Sequence, residues 1–327
     1  MTGTGKSRVV LRSVRQRSVL HAVAECMERC DWERVVPRDA AVVVKPNLCT
    51  AVADKAASSN TDPLLTQAVC EVLRTRTRRI VLAESDGLRQ KAQEAFAASG
   101  YVEIAQRLDI PLVNMSESPW TTVACEPAGN VELPRLLLEA DVFITLPVLK
   151  THALTYFTGA IKNQWGCLPQ YNRILLHKHL DPLLATLHRV LRPKLAIMDG
   201  IIGMEGRGPA NGKPRRMDAV LASQDGVALD ATAMRLIGLE PSRARHLALT
   251  AQQGLGRMDA GAIEVDGDFE RLKTTFEPAI LDRAIAAMNY MSRYRWFVKH
   301  MLERDSVFYP IRGMVQALRR VGVVEGG

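Results

Sequence analysis

Read for the spacing of its apolar positions, the chain divides into short buried runs and longer segments of helical period. Leu20, Val23, Ala24 and Met27 recur at three- and four-residue steps, which predicts a helix within Val9 to Arg34. The next run, Ala40-Ala-Val-Val-Val-Lys-Pro-Asn47, is apolar on both faces and stopped by Pro46, as expected of a strand buried in a parallel sheet. At Thr61-Asp-Pro63, Asp62 is placed to cap a helix and Pro63 to fill its first position, with the helix reaching Arg74. Arg79 to Glu84 is a second strand, residues 89–99 a helix, Ile110 to Asn114 a strand and Leu133 to Glu139 a short helix. Asp141 to Pro147 is again a buried strand. A helix over 180–191 precedes the strand Lys194 to Gly200, and Ala219 to Ser223 is the next strand. Asp225 caps a helix to Ile237 that Gly238 stops.

Strands and helices alternating at this length predict an α/β domain over residues 1–277, in one lobe or two. Its sheet is mostly parallel, with helices on both faces. The pattern changes at Pro278. Leu281, Ile285, Met288 and Met291 fall on one helix face, and Ile311 to Val321 forms a second amphipathic stretch. Between them, Tyr290, Tyr294, Trp296 and Phe297 sit among Arg and Lys. Residues 278–327 therefore read as a helical, basic and aromatic extension. It can pack on the domain, join two copies as a homodimer, or lie on a membrane surface.

Composition narrows these options. With 47% hydrophobic and 24% charged residues in 327 positions, the chain can bury a large core. No run approaches the ~20 apolar residues of a membrane span, and no apolar stretch follows the basic start. A cytoplasmic protein is expected. The six cysteines, at 26, 30, 49, 70, 125 and 167, match neither a zinc nor an iron–sulfur spacing and read as reduced thiols. The net charge of +8 is dispersed, and 5% aromatic residues make a base-stacking surface unlike this chain. A small anionic molecule suits that charge; nucleic acid is not expected as a partner.

In an open parallel sheet, ligands bind beyond the carboxyl ends of the strands. The polar residues found there are Lys45 and Asn47, then Glu84, Ser85 and Asp86, then Lys150, Thr151 and His152, and finally Asp199 and Glu205. The densest piece runs from Lys150-Thr-His-Ala to Ile161-Lys-Asn-Gln-Trp-Gly166. Here Lys150 and Lys162 can hold a carboxylate or phosphate, and His152 can move a proton, which makes these three the catalytic candidates. Lys45, Asn47, Glu84 and Asn163 are candidate substrate contacts. A glycine-rich loop from Asp199 to Gly212 carries Asp199 and Glu205, oxygen ligands suited to a divalent cation. Asp225 and Asp230 are explained as a helix cap and a buried polar link. Two patterns carry less. Gly3-Thr-Gly-Lys-Ser lacks the earlier glycine and the strand of a P-loop, and His177-Lys-His179 would diverge in a helical context.

Taken in order, Lys45-Pro-Asn47, Thr61-Asp-Pro63, Glu84-Ser85, Leu146-Pro-Val-Leu-Lys-Thr-His152, Gly159-Ala-Ile-Lys-Asn163, His177, Asp199-Gly-Ile, Met204-Glu-Gly-Arg-Gly-Pro209, Asp225 and Asp230 resemble the family called domain of unknown function 362. The resemblance covers residues 40–275. Many members of that family continue into a ferredoxin-like module with two [4Fe–4S] clusters. This chain has no cysteine after Cys167, so no intrinsic [4Fe–4S] cluster is expected. In outline the family is also similar to the nickel-pincer lactate racemase type of α/β enzyme, where lysines and histidines hold an anionic cofactor. The family name gives no activity; the Lys, His and Asn residues of the pocket predict an enzyme of this family's type acting on a small anionic metabolite in a specialised biosynthetic pathway, with a divalent metal as an option. The alternative is a non-catalytic cofactor-binding or delivery protein, or the partner of a separate iron–sulfur redox protein.

Overall fold

The computed structural model describes residues 5–320, apart from Arg89 and Asp282. Val321 and the first residues of the Gly3-Thr-Gly-Lys-Ser pattern lie outside the described residues. Twelve strands are formed: β1 (Ser7–Ser13), β2 (Val42–Pro46), β3 (Ile80–Glu84), β4 (Leu112–Asn114), β5 (Trp120–Ala124), β6 (Asn130–Pro134), β7 (Val142–Leu146), β8 (Val148–His152), β9 (Tyr156–Phe157), β10 (Leu195–Glu205), β11 (Lys213–Ser223) and β12 (Ile263–Gly267). Ten of them make one sheet whose main path runs β12-β1-β11-β10-β7-β2-β3-β4. From β10 to β4 every neighbouring pair on that path is parallel, whereas β11 is antiparallel to both β10 and β1. The sheet is therefore mixed, with a parallel half where Val42, Val43 and Val44 pair with β3 on one side and β7 on the other. All five residues of β2 and of β7 are buried, as runs apolar on both faces require.

Helices cover both faces, so the sheet divides the apolar interior into two cores. One gathers Val43, Phe143, Met198, Leu184 and Met234; the other gathers Val42, Val44, Met27, Leu65 and Phe96. Local chemistry sets the helix starts. Asp62 accepts a hydrogen bond from the Leu64 amide with Pro63 behind it, and Asp225 accepts from Val227 and Ala228 at 2.9 Å each.

Several elements differ from the pattern reading. The Val9–Arg34 stretch is not one helix. Val9, Val10 and Leu11 are buried on an interior strand, β1, before the helix Val19–Arg29 begins. Leu133 belongs to a β5–β6 hairpin, and the short helix starts only at Arg135. Lys150, Thr151 and His152 are not a loop after a strand; they end β8, which pairs with β10 and turns back into β9. The extension holds the helices Arg283–Met291 and Asp305–Arg320, with Val298 and Leu302 buried between them. No helix among the described residues is long and apolar enough to cross a membrane.

Candidate functional site

Five segments meet at the carboxyl ends of β2, β3 and β7. At the centre is a buried ion pair: Lys45 Nζ donates to Glu84 Oε2 at 2.7 Å. Both partners are fully used. Lys45 also donates to the Pro46 carbonyl (3.0 Å) and the Asn163 side-chain oxygen (3.4 Å), while Glu84 accepts from the Leu48 and Ser85 amides. Asn163 completes the link by donating to Thr145 Oγ1 at 2.9 Å. The chain crosses this pair at Gly166. A Cβ there would stand 2.7 Å from Lys45 Nζ, so only glycine lets the backbone approach.

Lys150 is different. Its side chain has no exposed surface, and its donors go to the Ser59 carbonyl (2.7 Å), the Pro209 carbonyl (3.2 Å) and the Cys49 sulfur (3.2 Å). Asn47 holds the same Ser59 carbonyl through its side-chain amide at 2.7 Å. The Pro209 contact brings the glycine-rich loop over β8. No carboxylate pairs with Lys150 among the described residues.

Lys162 is carried by the short helix Gly159–Asn163, whose start is set by Asp230. That carboxylate accepts from the Ala160 amide (2.6 Å) and the Ile161 amide (3.0 Å). Gly159 has φ +60, and a Cβ on it would lie 2.3 Å from Asp230 Oδ1, so glycine is required twice over. Burial raises the Asp230 carboxyl to about 7 against the pull of the two amides. Lys162 lies 6.0 Å from the Trp165 ring centre. Its ammonium is lowered to about 7, first by burial and then by the charges of Lys150 and Arg173.

His152 Nδ1 accepts from the Leu154 and Thr155 amides at 3.1 and 3.3 Å, which leaves the ring proton on Nε2. Burial, followed by Lys162 and Lys150, holds its pKa well below the usual imidazole value. The histidine is neutral near pH 7. Arg173 and His177 were not among the expected site residues, yet both join it. Arg173 donates to the Asp86 and Leu168 carbonyls at 2.7 Å each. His177 packs 5.3 Å from Trp165 and meets Asn289 of the extension at 2.9 Å; burial lowers it to about 4. In the sequence His177 stood only in the family resemblance and in a His177-Lys-His179 pattern set aside as divergent, and Arg173 carried no signal of its own.

Asp199 and Glu205 are not brought together. They stand six positions apart on β10 with separate partners. Asp199 accepts from the Asp62 amide (2.7 Å) and the Ile201 amide (2.9 Å), and burial raises it to about 7. Glu205 accepts from the Glu277 amide and faces Arg215 at 3.7 Å. Among the described residues no three His, Cys, Asp or Glu side chains gather as a metal group. The six cysteines are free, and Cys49 alone is not fully buried.

The segments that build the site are also where the chain matches known proteins. The model of the family described as Domain of unknown function (DUF362) matches residues 42–235. A thylakoid-associated protein of Synechocystis sp. is 30% identical over 222 residues, covering 66% of this chain and 68% of that one. The fold is similar to that of the lactate racemase apoprotein from Thermoanaerobacterium thermosaccharolyticum, with a TM-score of 0.44 and 13% identity. That likeness covers 76% of this chain, which spans 57% of the racemase chain. The family match runs over more than half of the chain and through every strand from β2 to β11, and the protein belongs to the DUF362 family.

Proposed function

We propose that the protein is an enzyme acting on a small anionic metabolite held between Lys150, Lys162 and Arg173. One observation carries the reading. Lys150, with no exposed surface, and the half-buried Lys162 and Arg173 lie close enough for the charges of Lys150 and Arg173 to act on Lys162, and among the described residues none of the three has a carboxylate within ion-pair reach. An ammonium taken from water without a counter-ion costs several kcal/mol, and a bound anion offsets that cost. Lys45 is excluded from this task because Glu84 already neutralises it.

The roles follow from chemistry. Arg173 fixes the anionic group as a charged donor, and Lys150, whose three N–H groups already go to the Ser59 and Pro209 carbonyls and the Cys49 sulfur, adds its positive charge. Lys162, lowered to about 7, exchanges a proton readily at neutral pH and serves as the general base or acid. His152 is held neutral and donates through Nε2–H to oxygen, gaining basicity once the bound anion offsets the neighbouring lysines. Lys45, Glu84, Asn163 and Asn47 position these groups.

The test is thermal melting of the purified chain against sulfate, inorganic phosphate and small mono- and dicarboxylates, with mass spectrometry of any co-purified molecule. At least one anion should raise the melting temperature, and Lys150→Met should remove that response. No response to any of them would sink the reading. Tight binding with no chemical change of the ligand would favour a cofactor-binding or delivery protein.

A further inference from the structure

The extension after Pro278 presents a surface that the buried site does not explain. Tyr290, Tyr294 and Trp296 are 52, 51 and 62% exposed, although aromatic side chains of this size are usually at least half covered. Arg293 lies 5.1 Å over the Tyr290 ring, and Tyr290 and Tyr294 meet edge to face at 6.1 Å. Arg293, Arg295 and Lys299 have no ion-pair partner among the described residues. Residues 278–327 contain eight Lys and Arg against four Asp and Glu, half of the net charge of +8 in under a sixth of the chain. Further along, Tyr309 and Met314 add exposed apolar surface on the helix Asp305–Arg320.

We infer that this surface docks the protein on a lipid bilayer bearing anionic headgroups. Tyr and Trp belong at such an interface because their rings are apolar and their N–H or O–H ends are wet. The interleaved arginines match negative headgroups, each contributing about fivefold in affinity near an anionic surface. A second copy of the chain fits less well. A two-fold contact would set this net-positive patch against its own copy, where like charges repel. Docking would also bear on the site, since Asn289 of this extension holds His177 over Trp165.

Co-sedimentation of the full chain with vesicles tests this. One set is phosphatidylcholine alone and the other a mixture of phosphatidylcholine and phosphatidylglycerol. The chain should pellet with the mixed vesicles only, and high salt should release it. Arg295→Gln with Lys299→Gln should weaken binding by about twentyfold, and Trp296→Ala should weaken it while leaving thermal melting unchanged. All three positions are on the outside, so these variants keep the fold. Equal pelleting with neutral vesicles, or none with either, would overturn the inference. So would light scattering that shows a dimer in buffer which Trp296→Ala converts to a monomer.

Discussion

The two ends of the sheet treat positive charge in opposite ways. At the carboxyl ends of the parallel strands, Lys150 is wholly buried and pairs with carbonyls and a thiol instead of a carboxylate. At the other end, where β1 begins and β11 finishes, Lys6, Arg8, Arg29 and Arg34 line an open cleft of about 600 Å³. There Arg8 faces Glu264 at 3.9 Å and Arg29 reaches Asp266 at 2.8 Å, with both arginines half exposed. Exposed pairs of this kind are worth about 0–1 kcal/mol and leave water in place. The open cleft thus carries solvated charge, with Arg8 and Arg29 paired to carboxylates. The cluster around Lys150 carries one charge that the fold has removed from water without a paired carboxylate, beside the half-buried Lys162 and Arg173, and this makes it the better place for a ligand.

The comparison can be broken most sharply at Asp230. Asp230→Ala leaves the Ala160 and Ile161 amides without an acceptor at a buried helix start. It should cost about 3 kcal/mol in urea unfolding and abolish the anion-induced rise in melting temperature. Asp230→Asn should recover part of both. A loss below ~1 kcal/mol would mean that the helix carrying Lys162 is set by packing alone.

Lys150→Met comes next. It should lower affinity for the stabilising anion about tenfold or more, measured by calorimetry, because a nearby buried positive charge is lost. Unchanged affinity would place the anion elsewhere. Lys162→Met has a smaller effect with a definite sign. In the folded chain this lysine titrates near 7, below its ordinary value of 10.5, so folding is penalised wherever the unfolded chain holds the extra charge in water. That penalty is fully present below 7 and is relieved as pH rises toward 10.5. The variant should therefore melt higher than the parent at and below pH 7, with the gain shrinking on the alkaline side. A pH-independent difference would remove the buried ammonium from the argument. Smallest of all, Arg29→Gln at the open cleft should change stability by less than about 1 kcal/mol and anion affinity by less than about twofold.

How much of this was legible in the chain depends on the range of the interaction. The strands around Val42–Pro46, Ile80–Glu84 and Val142–Leu146 announce themselves because a strand covered on both faces must be apolar at every position. The caps at Asp62 and Asp225 are equally local. By contrast, β1 was hidden by the helix that follows it, and β8 by its own chemistry. Lys150, Thr151 and His152 look like a solvated loop until Ser59, Pro209, Leu154 and Thr155 are seen to satisfy them.

Strand-end reasoning picked out Lys45, Glu84 and Lys150, and the dense segment after Lys150 added Lys162, yet neither could divide their work. In the sequence, Lys150 and Lys162 read as catalytic and Lys45 as a substrate contact, with nothing local to say which charge is paired. Only tertiary structure gives Lys45 a carboxylate, buries Lys150 among carbonyls and lowers Lys162 to about 7 through burial and then the charges beside it. Composition and periodicity determined the layers and the strand ends, since those depend on contacts a few residues apart and on the sign of each position's hydration, and the ordered motifs from Lys45 to Asp230 carried the family resemblance. Which charge is compensated was decided by residues 39 to 118 positions away. Coulomb energy and desolvation depend on distance in space, and spacing along the chain does not carry it.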